Sequence, residues 1–228
     1  MEPVMNDETA TQNSVSVYKS RSWLKKRLYG SLLAQYKRFK LKRVDLSPEN
    51  SLSTIRHLLE KVQFLFVITQ SLDPVQHGED REYKNDSLLN AQNSSQGCSA
   101  RYVQPIVEWQ DELFTIWVGT LASSRKIAEI RHNPNVTLAL GNDSAVANLI
   151  IHGKATLHTD IQKKLQVWKP EWKLFFPDGP KDDDYIVIRI EPERLELMDI
   201  KRGITPEPFG LKPLHLVLRE GSWQAVVN

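Results

Sequence analysis

A chain of 228 residues with 40% apolar content can bury one sizeable core, and its one cysteine, Cys98, excludes an intramolecular disulfide and a thiolate metal cluster. No apolar run approaches the ~18 residues of a membrane helix, and His57, His77, His132, His152, His158 and His215 show no metal-ligand spacing, so the chain reads as a soluble, cytoplasmic protein without a metal site. The net charge of +2 hides an asymmetry: the Lys and Arg residues between Lys19 and Arg43 meet no acid, and the rest of the chain is net acidic.

Residues 1 to about 18 read as a disordered start. From Ser22 the spacing of Leu24, Leu28, Leu32, Tyr36 and Phe39 predicts an amphipathic helix with Lys and Arg on its other faces. Such a helix can pack its leucine stripe on a domain, or set residues 19–43 against an anionic membrane or a nucleic acid. A transit peptide is a third reading, opposed by Glu2, Asp7 and Glu8. Residues 1–45 are thus expected to form a basic extension.

Ser47-Pro48-Glu49 opens a turn, and Ser51 or Ser53 is the expected cap of a helix through Leu58, Leu59 and Val62. Phe64–Thr69 reads as the first strand, and the polar, aperiodic stretch 70–99 as an inserted loop. Strand signals follow at Arg101–Trp109, Leu113–Val118, Asn135–Leu140, Val146–His158 and Tyr185–Leu197. A hairpin turn is expected around Gln110-Asp111, short helices over Ser124–Arg131 and between Asp160 and Phe175, and a last hairpin about Glu220-Gly221. Many strands joined by short helices favour a mainly β (α+β), mostly antiparallel barrel. The barrel domain spans 46–200, and residues 201–228 add a terminal hairpin.

The chemistry concentrates where the Leu113–Val118 strand runs through Gly119-Thr120-Leu121 into Ser123-Ser124-Arg125-Lys126. Hydroxyls and cations at a helix N-terminus make a phosphate seat, because the N–H groups there are unpaired and the dipole is positive. Without an anion the same dipole disfavours Arg125 and Lys126. If the strand carrying Arg101 pairs with the strand carrying Thr120, Arg101 joins the same patch. Gly119 would let a flat ring approach the strand closely. Asp182-Asp183-Asp184 reads as a solvated turn, and residues Trp168–Pro180 as a cover for the site, for a subunit seam or for the barrel end.

Together, Arg101-x-Val103, the apolar strand into Thr120, Ser124-Arg125-Lys126 and Asn133-Pro134-x-Val136 resemble the pyridoxamine 5′-phosphate oxidase-like family of FMN-binding split barrels. The stretch from Trp172 through Phe175-Phe176-Pro177-Asp178-Gly179-Pro180 to Asp199 is similar to its general stress protein branch. The resemblance implies a six-stranded antiparallel split β-barrel with short flanking helices. It implies that Arg101, Ser124, Arg125 and Lys126 hold the FMN phosphate and ribityl end. Gly119 and Thr120, with backbone from Val103 to Ile106, would lie against the isoalloxazine. Asn148 would reach a flavin held mainly by the other subunit of a homodimer.

The pattern departs from that of pyridoxine phosphate oxidases in two places. Met198 stands where their Glu-aromatic-Trp element ends, and Pro213-Leu214-His215-Leu216-Val217 keeps only the His of their Arg-x-His-x-Arg. Both arginines that would grip a phosphate ester are missing. The expected activity is therefore an FMN-dependent oxidoreductase with an unnamed small-molecule substrate and unknown catalytic residues. A pyridoxine phosphate oxidase with altered contacts is an alternative. A non-enzymatic flavin-binding protein docked through its basic helix is another.

Overall fold

Ser47 and Pro48 start the first helix of the barrel unit, α1 (Pro48–Lys61). Proline fits the first helical position because its missing N–H would have no partner there anyway, and the Ser47 hydroxyl accepts from the Asn50 N–H at 3.3 Å. The cap is thus Ser47, and Ser51, an expected cap, lies buried inside the helix. This computed structural model describes residues 44–74, 96–204 and 212–226, with Gly30, Leu32, Ala34 and Gln35, and the chain divides into units Met1–Val44 and Asp45–Asn228. The expected basic helix falls mostly outside the described residues, as do residues 75–95.

The remaining elements are β1 (Leu65–Pro74), β2 (Gln96–Val103), β3 (Ile106–Gln110), β4 (Leu113–Leu121), α2 (Arg125–His132), β5 (Asn135–Asn142), β6 (Ala147–His158), α3 (Ile161–Val167), β7 (Tyr185–Asp199), β8 (Leu214–Arg219) and β9 (Ser222–Val226). Short 3-10 turns at Pro170–Leu174 and Gly179–Lys181 lie between α3 and β7. Two boundaries differ from the sequence reading. β1 and β2 run on into the polar stretch until Pro74 faces Gln96. The strand expected over Arg101–Trp109 breaks at Gln104-Pro105, where proline has no N–H for a ladder.

That break closes the barrel. The sheet order is β2-β1-β5-β6-β7-β4-β3, with β8 and β9 appended to β7. Six strand spacings laid flat would separate β2 from β3 by about 29 Å, yet Val103 and Ile106 are joined by a link that reaches about 11 Å at most. The sheet must curl until its ends meet. All its pairings are antiparallel, as the mainly β, split-barrel expectation requires. The described sheet has nine strands, seven of them on the closed path, where six were expected, because Gln104-Pro105 splits one expected strand in two and β8 and β9 add to β7.

β7 is the central beam. One of its edges pairs with β4 over Tyr185–Ile190 and then with β8 over Arg194–Leu197, and the other follows β6 along its whole length. A bulge at His152/Gly153 lets the long pair bend, and a side chain at Gly153 would strike the Glu191 carbonyl. Alternation sends Val136, Leu138, Leu149, Ile151, Ile188 and Ile190 inward, where they are buried. A smaller aromatic cluster of Trp117, Trp172, Phe176 and Tyr185 packs apart from that core.

Candidate cofactor site

A cavity of about 500 Å³ opens where β4 passes into α2. Val103, Gly119, Thr120 and Lys126, four of the residues singled out in the sequence, line it. The turn between β4 and α2 is pinned by Asp184, whose carboxylate accepts from the Ser123 N–H at 3.0 Å and the Ser123 hydroxyl at 3.1 Å. The acidic triplet is therefore an anchor as well as a turn. It uses up the Ser123 hydroxyl and leaves that of Ser124.

Ser124 is the N-cap of α2, but its hydroxyl does not cap the helix; it accepts from Lys126 Nζ at 3.3 Å. Lys126 Nζ also donates to the Thr120 hydroxyl at 2.5 Å. Burial, reinforced by the charge of Arg101, holds the Lys126 ammonium below the usual lysine range, with Glu129 pulling the other way. Among the described residues no carboxylate lies within 4.0 Å of Lys126 Nζ. The site holds a half-buried cation whose bonding partners are hydroxyls alone.

Arg101 is arranged otherwise than expected. β2 pairs with β1 and not with β4, so the register argument that placed Arg101 beside Thr120 does not hold. Its guanidinium instead meets Glu129 on α2 at 2.7 Å and donates to the Thr69 hydroxyl at 2.8 Å. The Thr69 hydroxyl in turn donates to the same carboxylate at 2.6 Å. Burial would push the Glu129 carboxyl up, but hydrogen bonds from Thr69 and Arg101 together with the charge of Arg101 outweigh it and hold it below the usual range. Arg101 remains close enough to act on Lys126, with its own charge already matched.

The other expected residues are dispersed. Arg125 is exposed on the first turn of α2. Ile106 packs with the Trp117 cluster and does not line the cavity. Asn148 is exposed on β6 between Gly141 and Met198 and does not line its own chain's cavity. Gly119 does admit a flat ring, but that ring is Trp172: a Cβ on Gly119 would lie 2.5 Å from the indole. Trp172 Nε1 donates to the Gln104 side chain at 2.9 Å, and Glu171, Phe175 and Phe176 from the same segment complete the wall.

Sequence reasoning missed Glu129, Thr69 and Gln104. Glu129 had one usable signal: it stands three residues after Lys126, on the same helix face, beside buried Ile130.

A second cavity, about 620 Å³, lies near Trp117, Glu108, Lys163 and Arg189. Its charges have partners: Arg189 meets Glu191 at 2.9 Å, Glu108 accepts from Trp117 Nε1 at 2.9 Å, and Lys163 donates to Gln166 at 2.9 Å. Glu108 is exposed and the Lys163–Gln166 bond lies in an exposed place, whereas Lys126 is held by hydroxyls alone in a half-buried one.

A family model described as pyridoxamine 5′-phosphate oxidase like matches residues 89–205, more than half of the chain and the whole β4–α2 junction. The chain belongs to the pyridoxamine 5′-phosphate oxidase-like family. General stress protein 26 of Bacillus subtilis is 33% identical over 88 residues, which are 37% of this chain and 62% of that protein. The match thus spans under two thirds of that relative's length. A solved structure of a protein related to general stress protein 26, from Clostridium acetobutylicum, shares the fold at a TM-score of 0.55 and 17% identity, over 75% of this chain and 96% of that one. A pyridoxamine 5′-phosphate oxidase-related, FMN binding protein from Nostoc punctiforme is 12% identical at a TM-score of 0.48, over 81% of this chain and 100% of that one.

Proposed function

We propose that this member of the pyridoxamine 5′-phosphate oxidase-like family is a cytoplasmic, homodimeric, FMN-binding oxidoreductase acting on a small molecule. The observation that carries the reading is Lys126, a half-buried cation held by two hydroxyls, with no carboxylate among the described residues within 4.0 Å, in a cavity lined mainly by apolar and aromatic side chains. Charges stay buried when an opposite charge meets them, and a phosphate supplies it.

The residues fit FMN in both of its halves. Lys126, Thr120 and Ser124, with the first-turn N–H groups of α2, would hold the phosphate, Arg125 would add positive potential, and Arg101, paired with Glu129, would keep the helix in place. Val103, Gln104 and Tyr102 line the part where a flat apolar ring belongs. When bound, FMN supplies electron and hydride transfer; the protein binds it, orients it and excludes water. Trp172 and Phe176 provide that exclusion on one side, and the Gln104 amide fixes Trp172 in place.

A second subunit would cover the outer sheet face beside the cavity. Tyr102, 63% exposed, faces Phe66, 42% exposed, across the β1–β2 ladder, and their rings meet edge to face at 4.4 Å. The same row continues through Ala139 and Ile150. An aromatic face of this kind suits burial against a copy of itself.

The test is purification of the full chain, an absorption spectrum, and identification of any chromophore released on denaturation, followed by titration of apoprotein with FMN and riboflavin. FMN binding, weakened in Lys126→Ala, supports the reading. A colourless protein that ignores added FMN sinks it, and turnover of pyridoxine phosphate with release of peroxide would replace it with the oxidase alternative.

A further inference from the structure

Resting on the FMN reading, we infer that the second molecule this site receives is a planar, unphosphorylated aromatic compound, uncharged or cationic, with Glu171 as the residue that turns anions away. It would lie against the Trp172–Phe176 segment at the cavity mouth.

The segment is held in one place. The Trp172 indole fills the notch left by Gly119, stands 6.1 Å from the Tyr185 ring and is fastened to Gln104, which sits in the two-residue link between β2 and β3. A ring so fixed sets where its neighbours project. Phe175 is 67% exposed yet lines the cavity, and exposed Glu171 lines it too.

The charges at this mouth are few. Among the described residues that line the cavity, Lys126 is the basic side chain and Glu171 the acidic one. Lys126 belongs to the phosphate end. With that cation matched by the cofactor, the field left at the mouth is that of Glu171. A carboxylate or second phosphate arriving there meets a negative charge and no lining cation. Lys169 stands 5.7 Å from the Trp172 ring but does not line the cavity. Trp172 and Phe175 offer ring faces that attract a flat apolar molecule and attract a cation more strongly.

Three probes of one size separate the charge classes: 2-naphthalenemethanol, 2-naphthoate and N-methylquinolinium. Each is titrated calorimetrically into FMN-loaded wild type, Glu171→Gln and Glu171→Lys, and FMN affinity is measured separately on each apoprotein. The neutral and cationic probes should bind wild type at least ~10-fold more tightly than naphthoate. Glu171→Gln should reduce the cation's advantage over naphthoate, and Glu171→Lys should reverse the order of naphthoate and quinolinium, with FMN affinity unchanged. Naphthoate binding wild type as tightly as the others, an order that Glu171→Lys does not alter, or no binding of any probe to protein that holds FMN would overturn the inference. Apoprotein that takes up no FMN would be a different failure, refuting the cofactor reading and this inference with it.

Discussion

Arg101 and Glu129 form an ion pair at 2.7 Å that joins β2 to α2, with the carboxylate only 2% exposed. The pair fixes the helix that carries Lys126 against the strands that carry Thr69 and Arg101. Replacing the acid by an amide strands a guanidinium without its counter-charge in a half-buried place. Glu129→Gln is expected to cost about 2–3 kcal/mol in urea unfolding, below the full loss for a buried pair because Arg101 is partly exposed. A loss under ~0.5 kcal/mol would show the pair to be structurally idle.

The same carboxylate gives a pH dependence. Its folded-state pKa is lowered, so between that value and the ordinary unfolded value of about 4.3 the unfolded chain binds more protons than the folded one. The stability it contributes is present above the unfolded value and is lost as pH falls through the folded one. Wild type should therefore lose stability on acidification more steeply than Glu129→Gln. Parallel stability-versus-pH curves below pH 5 would contradict this.

Lys126 predicts a difference between two ligands that share a ring. Lys126→Ala should weaken FMN binding by ~10- to 100-fold, the range for a charge-assisted hydrogen bond, and leave riboflavin affinity nearly unchanged. Equal weakening of both would mean that the side chain supports the ring end or the fold.

The lowered pKa of Lys126 carries its own sign. A phosphate favours the protonated amine, so FMN binding should be full at neutral pH and decline as pH rises through the depressed lysine value, before an ordinary lysine would titrate. Riboflavin should show no such decline. Fluorescence titrations from pH 7 to 10 test it, and matching pH profiles for both ligands would count against the phosphate assignment.

Gly119→Ala should displace Trp172, because the new methyl meets indole and Tyr185 ring carbons and not a pliant chain end. The expected cost is about 1–3 kcal/mol of stability, with a changed near-ultraviolet circular dichroism signal from the Trp172–Tyr185 pair. A variant with wild-type stability and spectrum would show that the indole does not occupy the notch.

Much of the barrel could be read from alternation, because β5 and β6 bury every second residue and put mostly polar ones between, Ala139 and Ile150 being the apolar exceptions. The β4–α2 junction was equally visible, since Ser124-Arg125-Lys126 offends the helix dipole unless an anion is present. Pairing was not legible. Pro105 looked like a residue inside a strand, and nothing local reveals that β2 turns back on β1 while β3 serves β4. Glu129 and Gln104 were hidden for the same reason: their partners Arg101 and Trp172 lie far along the chain, and a carboxylate beside Lys126 reads locally as a surface pair.

The wall over the cavity is built without using the sheet. No ladder bond of β1–β9 involves residues 168–181, and Gln104 is tied to Trp172 across 68 positions of chain. Such a segment can detach by local opening while every rung of the barrel stays formed, at a free energy set by the aromatic cluster and the hydrogen bond from Trp172 to Gln104. Amide exchange in residues 170–176 would then be decoupled from exchange in β6 and β7. Evolution could retune how fast molecules enter the cavity by altering a few rings on that segment, leaving the thermal stability of the barrel where it was.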